Sequence, residues 1–95
     1  MAIKLKMAGH NNFTIFEKSA NVGGTWSENT YPDCGCDIPS GLYSFSFENY
    51  PEWDRVWSKQ HQILTYQEHC VKKYGLWSHL KLNSMMRECV WDEEK

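Results

Sequence analysis

The chain has 95 residues, 41% of them hydrophobic and 15% aromatic, which suffices for one small packed domain and is too short for two cofactor-binding domains. A formal charge of −2 gives no electrostatic reason to expect nucleic acid or an anionic membrane as partner. No apolar run approaches the roughly 20 residues of a membrane-spanning helix, and Met1-Ala-Ile-Lys-Leu-Lys lacks the apolar stretch of a signal peptide, so the expected setting is cytoplasmic.

Residues 1–9 read as the tail of a helix, with Ala2, Ile3, Leu5 and Met7 set between lysines and Gly9 closing the end. Phe13-Thr-Ile-Phe-Glu17 alternates and is rich in β-formers, which predicts a strand over 13–17. A helix, a short turn and such a strand are the last parts of a β-α-β nucleotide-binding unit, an α/β architecture. The first strand and its glycine-rich turn are missing: no two glycines stand in G-x-G spacing anywhere in the chain. The reading therefore expects an amino-terminal truncation, with Met1 inside what was a longer frame.

Residues 18–59 turn to Gly, Pro, Ser, Asn and aromatics without helical or strand periodicity, and are predicted to form a ligand-lining loop; the density of Trp, Tyr and Phe argues against disorder. Helical spacing returns over 61–74, where Ile63, Tyr66, Cys70 and Tyr74 share a side with Leu64 and Val71 beside them. Ser58 is the candidate cap at its start and Gly75 at its end, and Lys72 and Lys73 suit the negative end of the helix dipole. Strands are expected over 80–83 and, less cleanly alternating, over 85–92.

The four cysteines are expected as free thiols. Cys34 and Cys36 form C-x-C rather than C-x-x-C, and His10, His61, His69 and His79 show no H-x-x-x-H spacing, so no metal site is predicted.

The stretch Gly23 to Asp37, GGTWSENTYPDCGCD, makes demands that ordinary packing seldom imposes together. Gly23 and Gly24 allow positive φ or the close approach of a ligand. Trp26 offers a broad apolar face with one N–H, and Tyr31-Pro32 stiffens the chain ahead of Asp37. Gly-Gly-Thr-Trp, four residues, Tyr-Pro, then Asp37 resembles the long fingerprint of Baeyer–Villiger monooxygenases, a branch of the flavin-containing monooxygenases. Phe13-Thr-Ile-Phe-Glu17-Lys18, Asp37-Ile-Pro-Ser40, Tyr43-Ser-Phe-Ser-Phe47 and Gln62-Ile-Leu-Thr-Tyr66 resemble the same amino-terminal region. One departure is Asp33, where the family usually has Gly or Met.

The resemblance implies a partial Rossmann-like FAD/NAD(P)-binding domain that lacks its first strand and glycine-rich turn, and the cofactors FAD and NADPH. It places Glu17 on the two hydroxyls of the adenosine ribose, where the residue pattern alone also allows a solvated strand-end acid. Gly24, Thr25, Trp26, Ser27 and Glu28 would touch FAD, the alternative being a plain turn with Trp26 in the core. Tyr43 would contact the flavin, or else be an ordinary buried Tyr with its O–H satisfied. Gly35 and Cys36 would line the approach of NADPH. Asp37, implied as the catalytic residue, would pair with an arginine from a later part of the parent enzyme; its alternative is a turn-forming Asx residue before Ile38-Pro39.

The implied reaction inserts one oxygen atom of O2 into a ketone through a peroxyflavin, this chain alone being incomplete and inactive. The other readings are a flavin monooxygenase acting on nitrogen or sulfur, a non-catalytic remnant or interaction module, and a thiol or metal module on Cys34 and Cys36.

Overall fold

The computed structural model describes residues 1–50, 53 and 56–94. In chain order they form α1 (Ala2–Met7), β1 (Ile15–Phe16), α2 (Thr25–Glu28), α3 (Gln60–Lys73), a 3-10 turn (Trp77–His79) and β2 (Leu80–Lys81). β1 and β2 pair in parallel, Ile15 with Leu80 and Phe16 with Lys81. Parallel neighbours need a long crossover, which the loop and α3 supply. The contact extends past the strands, because Glu17 N–H donates to the Lys81 carbonyl at 3.0 Å and Ser84 N–H to the Glu17 carbonyl at 2.8 Å. Glu17 is thereby held at the carboxyl end of β1.

Helix α3 is the axis of the packing. Ile63, Tyr66 and Cys70 recur at helical spacing and are buried. Tyr66 and Cys70 join Ile3 and Leu76 in one cluster, flanked by Phe13, Ile15, Phe47 and Val71. Ile63 joins Trp26 and Cys34 in a second, flanked by Cys36 and Leu64. One helix thus ties the β-α-β frame to the Gly-Gly-Thr-Trp segment.

Both longer helices end the same way. Gly9 at φ 87° follows α1, with Gly9 N–H on the Lys6 carbonyl and His10 N–H on that of Leu5. Gly75 at φ 63° follows α3, with Gly75 N–H on Lys72 and Leu76 N–H on Val71. These are Schellman closures, which satisfy the last carbonyls and bring the apolar residue after the glycine back onto the helix. Leu76, buried in the core beside Val71, is that residue in α3.

Four expectations need correction. Ser58 does not cap α3: Lys59 occupies the N-cap without a side-chain bond, and the buried Ser58 hydroxyl is hydrogen-bonded to that of Ser40. Residues 85–92 form no strand; their alternating side chains have no neighbouring ladder to join, and Met85, Met86, Val90 and Trp91 are exposed. The strands expected over 13–17 and 80–83 shrink to Ile15–Phe16 and Leu80–Lys81, because each is only as long as the pairing it finds. The 18–59 excursion is not all loop, since it contains α2 and an antiparallel bridge from Gly35 to Lys59. Its positions 51–52 and 54–55 lie outside the described residues.

Candidate functional site

Gly23 and Gly24 open the site. Gly24 sits at φ 55°, ψ −121°, the first central position of a type II′ turn, and Trp26 N–H closes the turn on the Gly23 carbonyl at 3.1 Å. Gly23, at φ 120°, has α3 behind it: a Cβ there would stand 2.5 Å from Leu64 Cδ1 and 3.0 Å from Ser27 Cβ. A Cβ on Gly24 would meet nothing within 4 Å. One glycine therefore lets the turn seat on α3, and the other leaves its backbone open to an approaching group.

The turn launches α2 with Trp26 pointed inward. Its ring is buried, its Nε1–H donates to Tyr43 Oη at 3.3 Å, and the two rings meet edge to face with centroids 6.0 Å apart. Gln60, in the first turn of α3, donates its side-chain amide to the Trp26 carbonyl at 2.5 Å. Tyr43 is itself 38% exposed, so the fully buried alternative does not describe it. Trp26 is a core residue that ties α2 to Tyr43.

Glu17 and Glu28, seen as separate candidates in the sequence, are linked through Ser19. The Ser19 amide donates to Glu17 Oε1 at 3.0 Å and its hydroxyl to Glu28 Oε1 at 2.9 Å. Thr25 is exposed and its carbonyl accepts the Asn29 side-chain amide at 2.8 Å; Ser27 is half-buried against Gly23.

Asp37 stands apart from this group. It is exposed, and among the described residues no hydrogen bond or ion pair engages its carboxylate, whereas its neighbours are fixed: Cys36 N–H donates to the Ser58 carbonyl at 3.0 Å and Cys36 Sγ accepts Ile38 N–H at 3.4 Å. A Cβ on Gly35 would lie 3.0 Å from Lys59 Cδ and 3.2 Å from the Ser58 carbonyl. The 58–59 segment alone accounts for the glycine. Asp33 adopts φ 64° and pairs with Lys59 at 2.6 Å. A left-handed backbone is where Gly is at ease and where Asp is tolerated better than most residues. Beside it, the hydrogen bond to the Cys34 thiol raises the Tyr31 hydroxyl above its usual range.

A cleft of about 290 Å³ opens beside Tyr43, between Leu42, Phe45, Ile63, Tyr66 and Gln67. Its Tyr66 wall is rigid, since the phenol donates to the Glu48 carbonyl at 3.1 Å and accepts the Phe45 amide at 2.9 Å. Burial pushes the Tyr66 hydroxyl up to about 12. The buried Glu48 carboxylate anchors this wall to α3 through Lys73 at 2.5 Å. Ser19, Glu48, Gln60 and Gln67 escaped sequence reasoning. Glu48 and Gln60 meet partners far along the chain, which a polar residue type does not signal, and nothing in the residue pattern pairs Ser19 with the two nearby acids.

All four cysteines are free, and among the described residues no group of three or more His, Cys, Asp or Glu is placed to hold a metal ion. No helix among them is long and apolar enough to cross a membrane.

Residues 1–59 match the family described as NAD(P)-binding Rossmann-like domain. The whole chain is 48% identical over 95 residues to a Baeyer–Villiger monooxygenase of Pseudomonas aeruginosa, of which it covers 18%. Among solved structures, cyclohexanone monooxygenase bound to ε-caprolactone superposes with a TM-score of 0.79 at 32% identity, over 86% of this chain and 17% of that one. OTEMO in complex with FAD and NADP superposes with a TM-score of 0.73 at 29% identity, over 86% and 16%. The chain thus spans less than a fifth of the length of these relatives. With its parallel β1–β2 pair and α3 crossover, the chain belongs to the NAD(P)-binding Rossmann-like domains, and over its length it is similar to the matching stretch of Baeyer–Villiger flavin monooxygenases.

Proposed function

We propose that this chain supplies FAD-contacting surface to an NADPH-dependent monooxygenase that inserts one oxygen atom of O2 into a ketone. The observation that carries the reading is the Gly23–Gly24 turn seated on α3, with an open Gly24 backbone and the Trp26–Tyr43 pair beside it. It is a surface a flat cofactor can lie against without displacing a side chain. The residues present fit the cofactor on that ground.

When bound, FAD reduced by NADPH supplies the electrons and the oxygen activation. The chain's own residues bind and orient. Glu17, with one carboxylate oxygen fixed by the Ser19 amide, keeps the other for ribose hydroxyls. Gly24, Thr25, Trp26, Ser27 and Glu28 present the turn and the first face of α2, and Tyr43 closes the wall. Gly35 and Cys36 form the firm edge along which NADPH approaches. Asp37 offers an exposed carboxylate to an arginine from another part of the enzyme, which holds that cation where negative charge develops. The likeness to the Baeyer–Villiger monooxygenase of Pseudomonas aeruginosa favours ketone over nitrogen or sulfur oxygenation.

The test is a chimera in which this chain replaces the matching segment of that relative. The purified protein should carry flavin absorbance and convert cyclic ketones to lactones. Asp37→Ala should keep the flavin and lose oxygenation by about two to three orders of magnitude, the scale of removing an electrostatic stabiliser of a transition state. A well-folded chimera that takes up no FAD rejects the reading; an active Asp37→Ala variant rejects the role of Asp37 alone.

A further inference from the structure

We propose that Gln67 is a positioning residue for the flavin ring, its buried amide oxygen accepting a hydrogen bond from the ring's imide N–H in the cleft beside Tyr43. The inference rests on the flavin reading above and names one contact within it.

Three observations converge on this side chain. Gln67 lies one turn after Ile63 on α3 and lines the cleft with it, together with Tyr43, Phe45 and Tyr66. Its Oε1 is buried yet has no hydrogen-bond partner, one of two such side-chain atoms among the described residues. The other, Glu48 Oε2, belongs to a carboxylate already paired with Lys73. Finally, Gln67 Oε1 would stand 3.3 Å from a Cβ on Gly23, so the amide lies directly behind the Gly-Gly turn. It joins the cleft to the fingerprint.

A buried acceptor without a donor is costly, and native structures seldom leave one unanswered. The nearby phenols do not answer it: Tyr66 Oη donates to the Glu48 carbonyl, and Tyr43 Oη, which accepts from Trp26 Nε1–H, makes no hydrogen bond to Gln67 Oε1. The surrounding Leu64 and Ile63 are apolar and make a poor bed for water. A bound ring with an N–H at its rim satisfies the oxygen. At about 290 Å³ the cleft suits one ring system and not a whole dinucleotide. Of the rings in FAD and NADPH, the isoalloxazine presents an imide N–H between two carbonyls, a donor that a fixed amide oxygen can read.

The test uses the 95-residue chain and two probes, lumiflavin and N3-methyl-lumiflavin, titrated by flavin fluorescence. Wild-type protein should bind lumiflavin about five- to tenfold more tightly than its N3-methylated form, the range of one neutral hydrogen bond. In Gln67→Met, of similar length without the acceptor, the ratio should fall to about one; Gln67→Leu repeats the measurement if the first variant unfolds. Equal affinity of the wild-type chain for both probes overturns the role of Gln67 and leaves the flavin reading standing, as does discrimination that survives in a folded variant. Failure of the wild-type chain to bind either probe overturns the Gln67 contact, while the flavin reading itself stands or falls with the chimera.

Discussion

A single backbone angle decides several residues of this chain. Gly23 and Asp33 both sit at positive φ, but the space around them differs. Gly23 is hemmed in by Leu64 and Ser27, so Gly23→Ala should add contact strain to backbone strain, each about 1–3 kcal/mol, with some relief if Leu64 rotates. Gly24→Ala, in open space, should show the backbone cost alone and unfold at a higher urea midpoint than Gly23→Ala. At Asp33, Gly and Val both remove the carboxylate that pairs with Lys59, so comparing the two variants isolates the left-handed backbone. Asp33→Val should be less stable than Asp33→Gly by about 1–2 kcal/mol in urea denaturation. A null difference would mean that Asp33 does not hold φ 64° in solution.

At the scale of the element, α3 carries the fold, and Tyr66 is where the helix meets the loop. Tyr66→Phe leaves the Phe45 amide without its acceptor and should cost about 1–3 kcal/mol of stability at neutral pH. The same residue sets an alkaline limit. Its folded pKa, about 12, is raised above the ordinary 10.0, so the unfolded chain loses this proton first as pH rises. The stabilisation is complete below pH 10 and fades as pH climbs from there towards 12. Lys73, raised chiefly by its hydrogen bond to Glu48, acts in the same direction, since the ion pair is lost once the ammonium deprotonates. Denaturation midpoints measured across this range should fall steadily, and tyrosinate absorbance should show a phenol titrating at about 12. Tyr66→Phe should remove the phenol that titrates there.

At the scale of the whole molecule, the chain is extended. Its radius of gyration is 15.4 Å and its dimensions are 50 × 29 × 20 Å, against about 12 Å expected for a compact domain of this length. Two strands of two residues make a sheet too small to be stable without helix support. Hydrogen exchange should therefore divide the chain: amides in the middle of α3 protected, those of residues 85–92 exchanging near the rate of unstructured peptide. Protection over 85–92 would show that this segment finds a ladder after all.

How much was legible beforehand depends on the range of the interaction. The helix over 61–74, its buried face and its Gly75 closure follow from spacing and one φ preference, both local, and α3 appears as Gln60–Lys73. The Gly-Gly-Thr-Trp fingerprint likewise announced a turn, because positive φ is written in the residue type. The sequence by itself determined the α/β class, the axis helix and the family. Only the tertiary structure decided that Ser58 serves Ser40 rather than a helix cap, that Ser19 couples Glu17 to Glu28, that 85–92 goes unpaired, and that Gln67 lies behind Gly23. The physical reason is common to all four: a polar side chain or an alternating segment becomes committed only when the folded chain delivers, or fails to deliver, a complementary group, and the residue type does not name which group that is.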